Sequence, residues 1–292
     1  MSSGAGLAAC AAVAAAASRV AMVTGANGVF GRHICAGLCN KGFEVVAIVR
    51  TASKGEALIA SLPASCSASF LVADLSGGAS AAESVATRYG TDKPLHVLVN
   101  NAAVTPTTRS VSAEGVEMQW ATNVLAYHAL TRALLPHLRL AASLSCDSGD
   151  RSAFMPRVIF VASLYAGGLD LSDVEFQRRS YDVDSAYRAS KQANRMLARA
   201  WQRRVQAHGI KIVSCHPGIA TSAVSLGLGF DLDRSEHAAK DGARTPLYLA
   251  TVAQRQLADG AFYHSEREAR CEFAQDDGAC ENLFKLCDEH TL

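Results

Sequence analysis

The 292-residue sequence has no block of like charge, no C-x-x-C pair and no apolar run of membrane-spanning length. Each absence removes a class of protein. Lys and Arg total 28 against 27 Asp and Glu, and basic residues never cluster beyond the pairs Arg178-Arg179 and Arg203-Arg204. That leaves no electrostatic footprint for nucleic acid, so the expected partner is a small molecule. The nine cysteines are odd in number and scattered, which excludes a structural zinc motif and reads as a reducing, cytoplasmic compartment. Cys35 and Cys39, four apart on an expected helix, share a face as small buried apolar side chains. The alanine run GLAACAAVAAAAS at residues 6–18 falls short of the roughly 20 residues of a membrane span. Without a positive n-region or the arginines of a transit peptide, it reads as an N-terminal arm at residues 1–18, with a cleaved leader as the alternative. No repeat and no Pro/Ser/Gly-rich linker divides the chain, and 49% hydrophobic residues suffice for a sizeable core. One domain is expected.

Apolar β-branched runs alternate with helical patterns from residue 19 to about 215, the signature of βαβ units. The expected strands are Arg19 to Thr24, Glu44 to Val49, Ser69 to Ala73, Leu95 to Asn100, Val158 to Ala162, Ile210 to Cys215 and Gly260 to Tyr263. The fold class is therefore α/β: a Rossmann-type doubly wound parallel sheet of about seven strands with helices on both faces, at residues 19–263. The polar stretch Ser143 to Arg151 reads as an exposed loop. Segments 164–184 and 220–241 lack clear periodicity and are expected to shape a ligand crevice at the carboxyl ends of the strands, with Leu164, Tyr165, Leu169, Leu171, Phe176 and AVSLGLGF as an apolar wall. The tail at 264–292 reads as partly helical, covering either the cleft or a subunit interface.

Residues 22–32, MVTGANGVFGR, join an expected strand to an expected helix. The common dinucleotide fingerprint G-x-G-x-x-G would need glycine where this chain has Asn27. Its glycines instead fall at every third position. Gly25 suits the tight turn, Gly28 a close approach to a pyrophosphate and Gly31 close packing of the helix on the sheet. The next strand, EVVAIV, ends in Arg50 rather than in an acidic residue for a ribose hydroxyl. An arginine fork suits a 2′-phosphate, with Lys54 close by, so NADP(H) is favoured over NAD(H).

In SAYRASKQANRML, residues 185–197, Tyr187 and Lys191 are four apart and share a helix face, so an ammonium can sit beneath a phenol and favour its ionised form. With these residues in view, the chain resembles the short-chain dehydrogenase/reductase family from Arg19 to about Tyr263. The matching segments run in order: TGANGVFG, the pair Asp74-Leu75, NNAA from Asn100, Asn123, Ser163, Tyr187 with Lys191, and HPG from His216. The likeness is closest to the retinol dehydrogenase-like branch, through the TGAN opening, Arg50, the long interval between Ser163 and Tyr187, and AYRASKQAN.

The resemblance implies an NADP(H)-dependent alcohol dehydrogenase or carbonyl reductase acting on a small or lipophilic substrate. It implies that Tyr187 is the general acid/base, that Lys191 lowers its pKa and holds the nicotinamide ribose, that Ser163 binds the substrate oxygen, and that Asn123 holds a water relaying protons to Lys191. Asp74 is expected at the adenine, Asn100 at the adenosine, and Ile219 and Thr221 at the carboxamide. The cofactor set also takes in Gly25, Asn27, Gly28, Phe30, Gly31, Arg50, Lys54, Leu75, Ala102, Pro217 and Gly218. His216 reads as a strand-end residue, Trp120 and Trp201 as packing residues, and a homodimer is what the family suggests. The chain departs from the family in its GxxGxxG spacing, in Ala103 and Ala162, and in the 24 residues from Ser163 to Tyr187. The alternatives are a non-catalytic NADP(H)-binding sensor or scaffold of the same fold and, disfavoured by the short region after Cys215, a sugar-nucleotide epimerase or dehydratase.

Overall fold

Strands covered by helices on both faces are apolar at nearly every position, and β1 (Val20–Thr24), β4 (Val97–Asn100) and β5 (Arg157–Val161) are buried throughout. The structure is a computed structural model that describes residues 18–147 and 154–291. Apart from Ser18, the expected N-terminal arm lies outside the described residues. In chain order the elements are β1, α1 (Val29–Asn40), β2 (Glu44–Val49), α2 (Ala52–Ser61), β3 (Ala68–Val72), α3 (Gly78–Tyr89) and β4; a π-helical segment Trp120–Leu125 then leads into α4 (Ala126–Ala133). There follow α5 (Leu135–Asp147), β5, α6 (Val183–Val205), β6 (Lys211–Cys215), α7 (Ala223–Gly227), α8 (Glu236–Thr251), β7 (Phe262–His264), β8 (Arg267–Ala269) and α9 (Asp277–Glu289).

The strands form one sheet in the order β3-β2-β1-β4-β5-β6-β7-β8, parallel from β3 to β7. The order reverses between β1 and β4, the switch point beside which a doubly wound sheet opens its ligand crevice. Side chains alternate between the faces. Met22, Leu98 and Phe160 enter one core with α4 and α6, whereas Val23, Val99 and Ile159 enter the other with α1 and α8.

Several expectations are corrected. An eighth strand, β8, pairs antiparallel with β7 through a two-residue turn in which Ser265 and Glu266 both have positive φ (49° and 62°). Such turns usually announce themselves by Asn-Gly or Asp-Gly, and this one is held instead by Glu266 N–H on Thr245 Oγ1 (3.3 Å) and by the Arg244–Glu266 ion pair (2.9 Å). The expected loop Ser143 to Arg151 is helical to Asp147, because α5 continues through it, and its last residues lie outside the described ones. Cys39 is bonded to Cys66, with Cα atoms 5.1 Å apart, while Cys35 is a buried free thiol. The loop before β3 brings Cys66 beside the last turn of α1, a proximity that cysteine spacing does not encode. The pairing removes cysteine usage as an argument for a reducing compartment. Among the described residues no helix is long and apolar enough to cross a membrane.

The end of the tail packs on α4 and α6 rather than across the crevice. Phe284 on α9 meets the rings of His128 and Trp201 at 4.8 and 5.0 Å, and Asp288 accepts from His128 Nε2 at 2.8 Å. These contacts lay α9 on α4 and α6, and burial keeps His128 neutral by lowering its pKa to about 3.

Candidate active site

A crevice of about 800 Å³ opens at the carboxyl ends of the strands, a size that suits a small molecule or cofactor. One end is the turn after β1, where Gly25, Asn27, Gly28 and Phe30 face the crevice. Gly25 has φ +59°, and a Cβ there would stand 2.8 Å from the Ala102 Cα. At Gly28 the added carbon would come to 3.1 Å from the Gly25 carbonyl. Helix α1 begins here with no side-chain cap and no acidic residue in its first turn, so its leading N–H groups are available to an anion. Gly31 lies beneath the crevice: its Cβ would come within 2.3 Å of the Gly25 carbonyl, so glycine lets α1 sit against its own turn. Arg50 and Lys54 beyond β2, and Asp74, Leu75 and Ser76 beyond β3, complete this end. Asp74 accepts from the Ser76 amide at 3.0 Å and its hydroxyl at 2.9 Å, which fixes the turn.

At the middle of the crevice stand Ser163, Tyr187 and Lys191. Asp182 caps α6 by accepting from the Ser185 amide at 2.9 Å, and one turn later Tyr187 and Lys191 face β5. The Tyr187 hydroxyl is hydrogen-bonded to the Ser163 side chain; burial pushes its pKa up to about 12, and that bond pulls the other way. Lys191 Nζ donates to the Val161 carbonyl at 2.9 Å and lies 5.6 Å from the ring centroids of Tyr187 and Tyr127. Burial lowers the lysine to about 7, opposed by the neighbouring Cys215 thiol. The ammonium sits by the ring face, and desolvation dominates both groups.

Asn123 is fully buried behind the crevice on the π-helical segment. Its Oδ1 accepts from the Val104 amide at 2.9 Å while its Nδ2 donates to the Val104 carbonyl at 3.0 Å and to Ser190 Oγ at 3.3 Å. The wider turn carries this amide into the Val104 loop, a use typical of π-bulges near functional sites.

Besides Gly31, two expected cofactor residues, Asn100 and Thr221, are not brought to the crevice. Asn100 is wholly buried at the end of β4 with its amide 3.4 Å from Thr131 Oγ1, and Asn101 lines the crevice instead. Asn101 Nδ2 donates to the Thr24 carbonyl at 2.9 Å, tying β4 to β1. The Thr221 hydroxyl is taken up by the Leu232 amide (2.7 Å) and Asp231 (3.2 Å), leaving Ser222 on the wall. Ala102, Pro217, Gly218 and Ile219 do line it. His216 is a strand-end residue as expected, but it also faces the crevice: its Nδ1 accepts from the Leu164 amide at 3.2 Å, and burial lowers its pKa to about 4.

The far end is apolar, formed by Val104, Met118, Leu164, Tyr165, Val224, Leu228, Phe230 and Leu232. Tyr165 and Phe230 meet edge to face at 6.0 Å, and the Tyr165 hydroxyl donates to Asp184. Leu169, Leu171 and Phe176 were expected here but turn inward: the leucines pack on the core and Phe176 is buried beside Tyr181. Sequence reasoning missed Met118 and Thr122, which reach the wall from the helical turn before Asn123.

The profile of the short chain dehydrogenase family matches residues 19–228. Mouse polyprenol dehydrogenase is 30% identical over 86% of this chain and 77% of its own. Human retinol dehydrogenase 13 is 28% identical over 76% of this chain and 65% of its own. The crystal structure of an uncharacterised protein from Mycobacterium paratuberculosis superposes with a TM-score of 0.73 at 28% identity, covering 94% of this chain and 93% of that one. The strand order, the crevice at the switch point and these matches converge: the chain belongs to the short-chain dehydrogenase family, in its retinol dehydrogenase-like branch, and is an oxidoreductase that binds a nicotinamide cofactor.

Proposed function

We propose that the protein uses NADP(H) to interconvert a carbonyl and an alcohol on a lipophilic small molecule, with Tyr187 as general acid/base. The observation that carries this reading is the meeting of Ser163, Tyr187 and Lys191 at the middle of a crevice with a glycine turn and Arg50 at one end and an apolar wall at the other. The crevice fits the cofactor, because side chains at Gly25 or Gly28 would crowd the cradle that a pyrophosphate needs. Gly28 and the first turn of α1 would hold the pyrophosphate, Asp74 the adenine, Ile219 the carboxamide, and Arg50 with Lys54 a 2′-phosphate. When bound, the cofactor gives or takes the hydride.

The Tyr187 hydroxyl gives its proton to the carbonyl oxygen in reduction and takes one from the alcohol in oxidation. Ser163 donates to the same oxygen and stabilises the charge that gathers there. Lys191 orients the ribose from beneath Tyr187, and Asn123, through Val104 and Ser190, fixes the back of the site from which a water relays protons to Lys191. The low-dielectric surroundings strengthen each of these interactions.

The test is NADPH and NADH consumption across aldehydes, ketones, quinones and retinoids, with Tyr187→Phe as control. Turnover that prefers NADPH and needs Tyr187 is the expected result. NADPH binding by both proteins with turnover by neither would replace this reading with that of a non-catalytic sensor.

A further inference from the structure

Ser163 sits on a short turn after β5 whose backbone groups are held by the end of β6, by α6 and by the turn's own serine. The Ala162 amide donates to the Cys215 carbonyl at 2.8 Å, the Leu164 amide to His216 at 3.2 Å and the Tyr165 amide to Ser163 Oγ at 3.0 Å. The Val161 carbonyl accepts from Lys191. The Ser163 carbonyl is held by Arg195, whose Nη2 donates to it. Tyr187, Lys191 and Arg195 fall at i, i+4 and i+8 on α6 and so share one face. The third member of that stripe stands behind the proposed site, not in it.

Arg195 is 4% exposed. Its guanidinium carbon lies 3.8 Å from the centroid of the Phe262 ring on β7 and 5.3 Å from that of Phe273 in the tail. It is also hydrogen-bonded to the Cys271 side chain. A buried cation is a poor way to gain stability, because an apolar side chain of similar volume often serves as well or better. Nε is moreover left without a partner. What an apolar residue could not supply is a charge-assisted donor for the Ser163 carbonyl. That bond fixes the peptide on which the Ser163 hydroxyl is carried.

We infer that Arg195 is a positioning residue for Ser163, and that the tail residues Cys271 and Phe273 clamp it, so the tail supports the reaction from outside the crevice. The inference rests on the proposed roles of Ser163 and Tyr187. Misplacement of a reacting group by about 1 Å costs up to roughly 100-fold in rate, so Arg195→Met should lower kcat roughly 10- to 100-fold. The dissociation constant for NADPH, held by other elements, should change less than about twofold. Arg195→Lys keeps a cationic donor and should recover most of the loss, and Phe273→Ala should lower kcat by a smaller factor.

The experiment is steady-state kinetics of the three variants beside wild type, NADPH titration by fluorescence and a thermal melt of each. A kcat of Arg195→Met within twofold of wild type overturns the inference. So does a fall in kcat matched by a fall in NADPH affinity that lysine does not rescue. If Arg195→Met does not fold, Arg195→Lys and Phe273→Ala carry the same comparison. If wild type itself turns nothing over, the proposed function has failed separately, and the crystal structure of the best-folded variant decides: a Ser163 hydroxyl unmoved relative to Tyr187 overturns the inference, and a displaced one supports it.

Discussion

The two ends of the crevice are built by opposite methods. The end with the glycine turn is made from the termini of regular elements, where Asn101 ties β4 to β1 and Asp74 fixes its own turn. The apolar end is made largely from irregular chain, and half of the large hydrophobic side chains left exposed on the described residues gather there: Leu164, Tyr165, Phe230 and Leu232. A ligand common to a whole family can be met by backbone geometry, which a scaffold holds rigidly. A ligand that varies is met by loop side chains whose apolar surface stays uncovered until it arrives. Tyr187 and Lys191 stand at the junction of the two.

The largest expected effect comes from that junction. Tyr187→Phe should lower kcat by roughly 10²- to 10⁴-fold, the range of general acid/base catalysis, and leave NADPH affinity nearly unchanged. Loss of both would mean that the two ends are not independent. Lys191 tests the junction through pH. Burial lowers its pKa to about 7, whereas the unfolded chain has an ordinary lysine near 10.4. Between those values the unfolded state binds more protons, so the cost of burying Lys191 is full below about 7 and is relieved as pH rises towards 10.4. Melting curves should therefore show Lys191→Met more stable than wild type at pH 6, with the difference shrinking to nothing near pH 10.5. A difference that does not vary with pH would mean that Lys191 is solvated.

Two smaller effects concern α1, β2 and β3, the elements whose ends build the cofactor end. The bond from Cys39 to Cys66 spans 27 residues of sequence, for which chain entropy gives roughly 3.5 kcal/mol. Cys39→Ser, or a reductant, should lower the melting temperature by several degrees with kcat unchanged; an equal loss of kcat would show that the staple reaches the site. Arg50→Ala removes a charge-assisted contact worth about 1.5–3 kcal/mol, so the KM for NADPH should rise roughly 10- to 100-fold while that for NADH stays within about twofold. An equal rise for both would remove the argument for a 2′-phosphate.

How much of this was legible in the sequence follows the same division. The strands, the turn at Gly25 to Gly31 and the pair Tyr187-Lys191 are encoded by local periodicity and spacing, and the structure places them as those patterns imply. What was not legible depends on contacts between distant segments. The turn at Ser265-Glu266 is stabilised by α8, Cys66 meets α1 only when β3 docks, and Thr221 is claimed by Asp231 and Leu232. Arg195 was equally invisible, since nothing in AYRASKQANRML distinguishes a solvated arginine from one inserted between Phe262 and Phe273. Leu169, Leu171 and Phe176 were assigned to the wall on hydrophobicity alone, and hydrophobicity does not say which of two apolar destinations a side chain takes.

The smallest effect sharpens the contrast most. Phe230 is 43% exposed and meets the 164–184 segment through the edge of Tyr165. An aromatic pair across the mouth of a crevice can act as wall or as lid, and truncation separates the two. As wall, Phe230 buries its remaining surface against the substrate, so Phe230→Ala should cost about 1 kcal/mol for a long lipophilic carbonyl, roughly a fivefold rise in KM, and almost nothing for a short aldehyde that does not reach the ring. As lid, it would hold the crevice closed against every substrate alike, and its loss would lower KM or raise kcat for short and long substrates together. We expect the first pattern, because the exposed rings of Tyr165 and Phe230 share this end with Leu164 and Leu232, which are apolar surface in need of a cover. Uniform changes across a chain-length series would instead make the loop end a gate, and the contrast between the two ends one of motion rather than of chemistry.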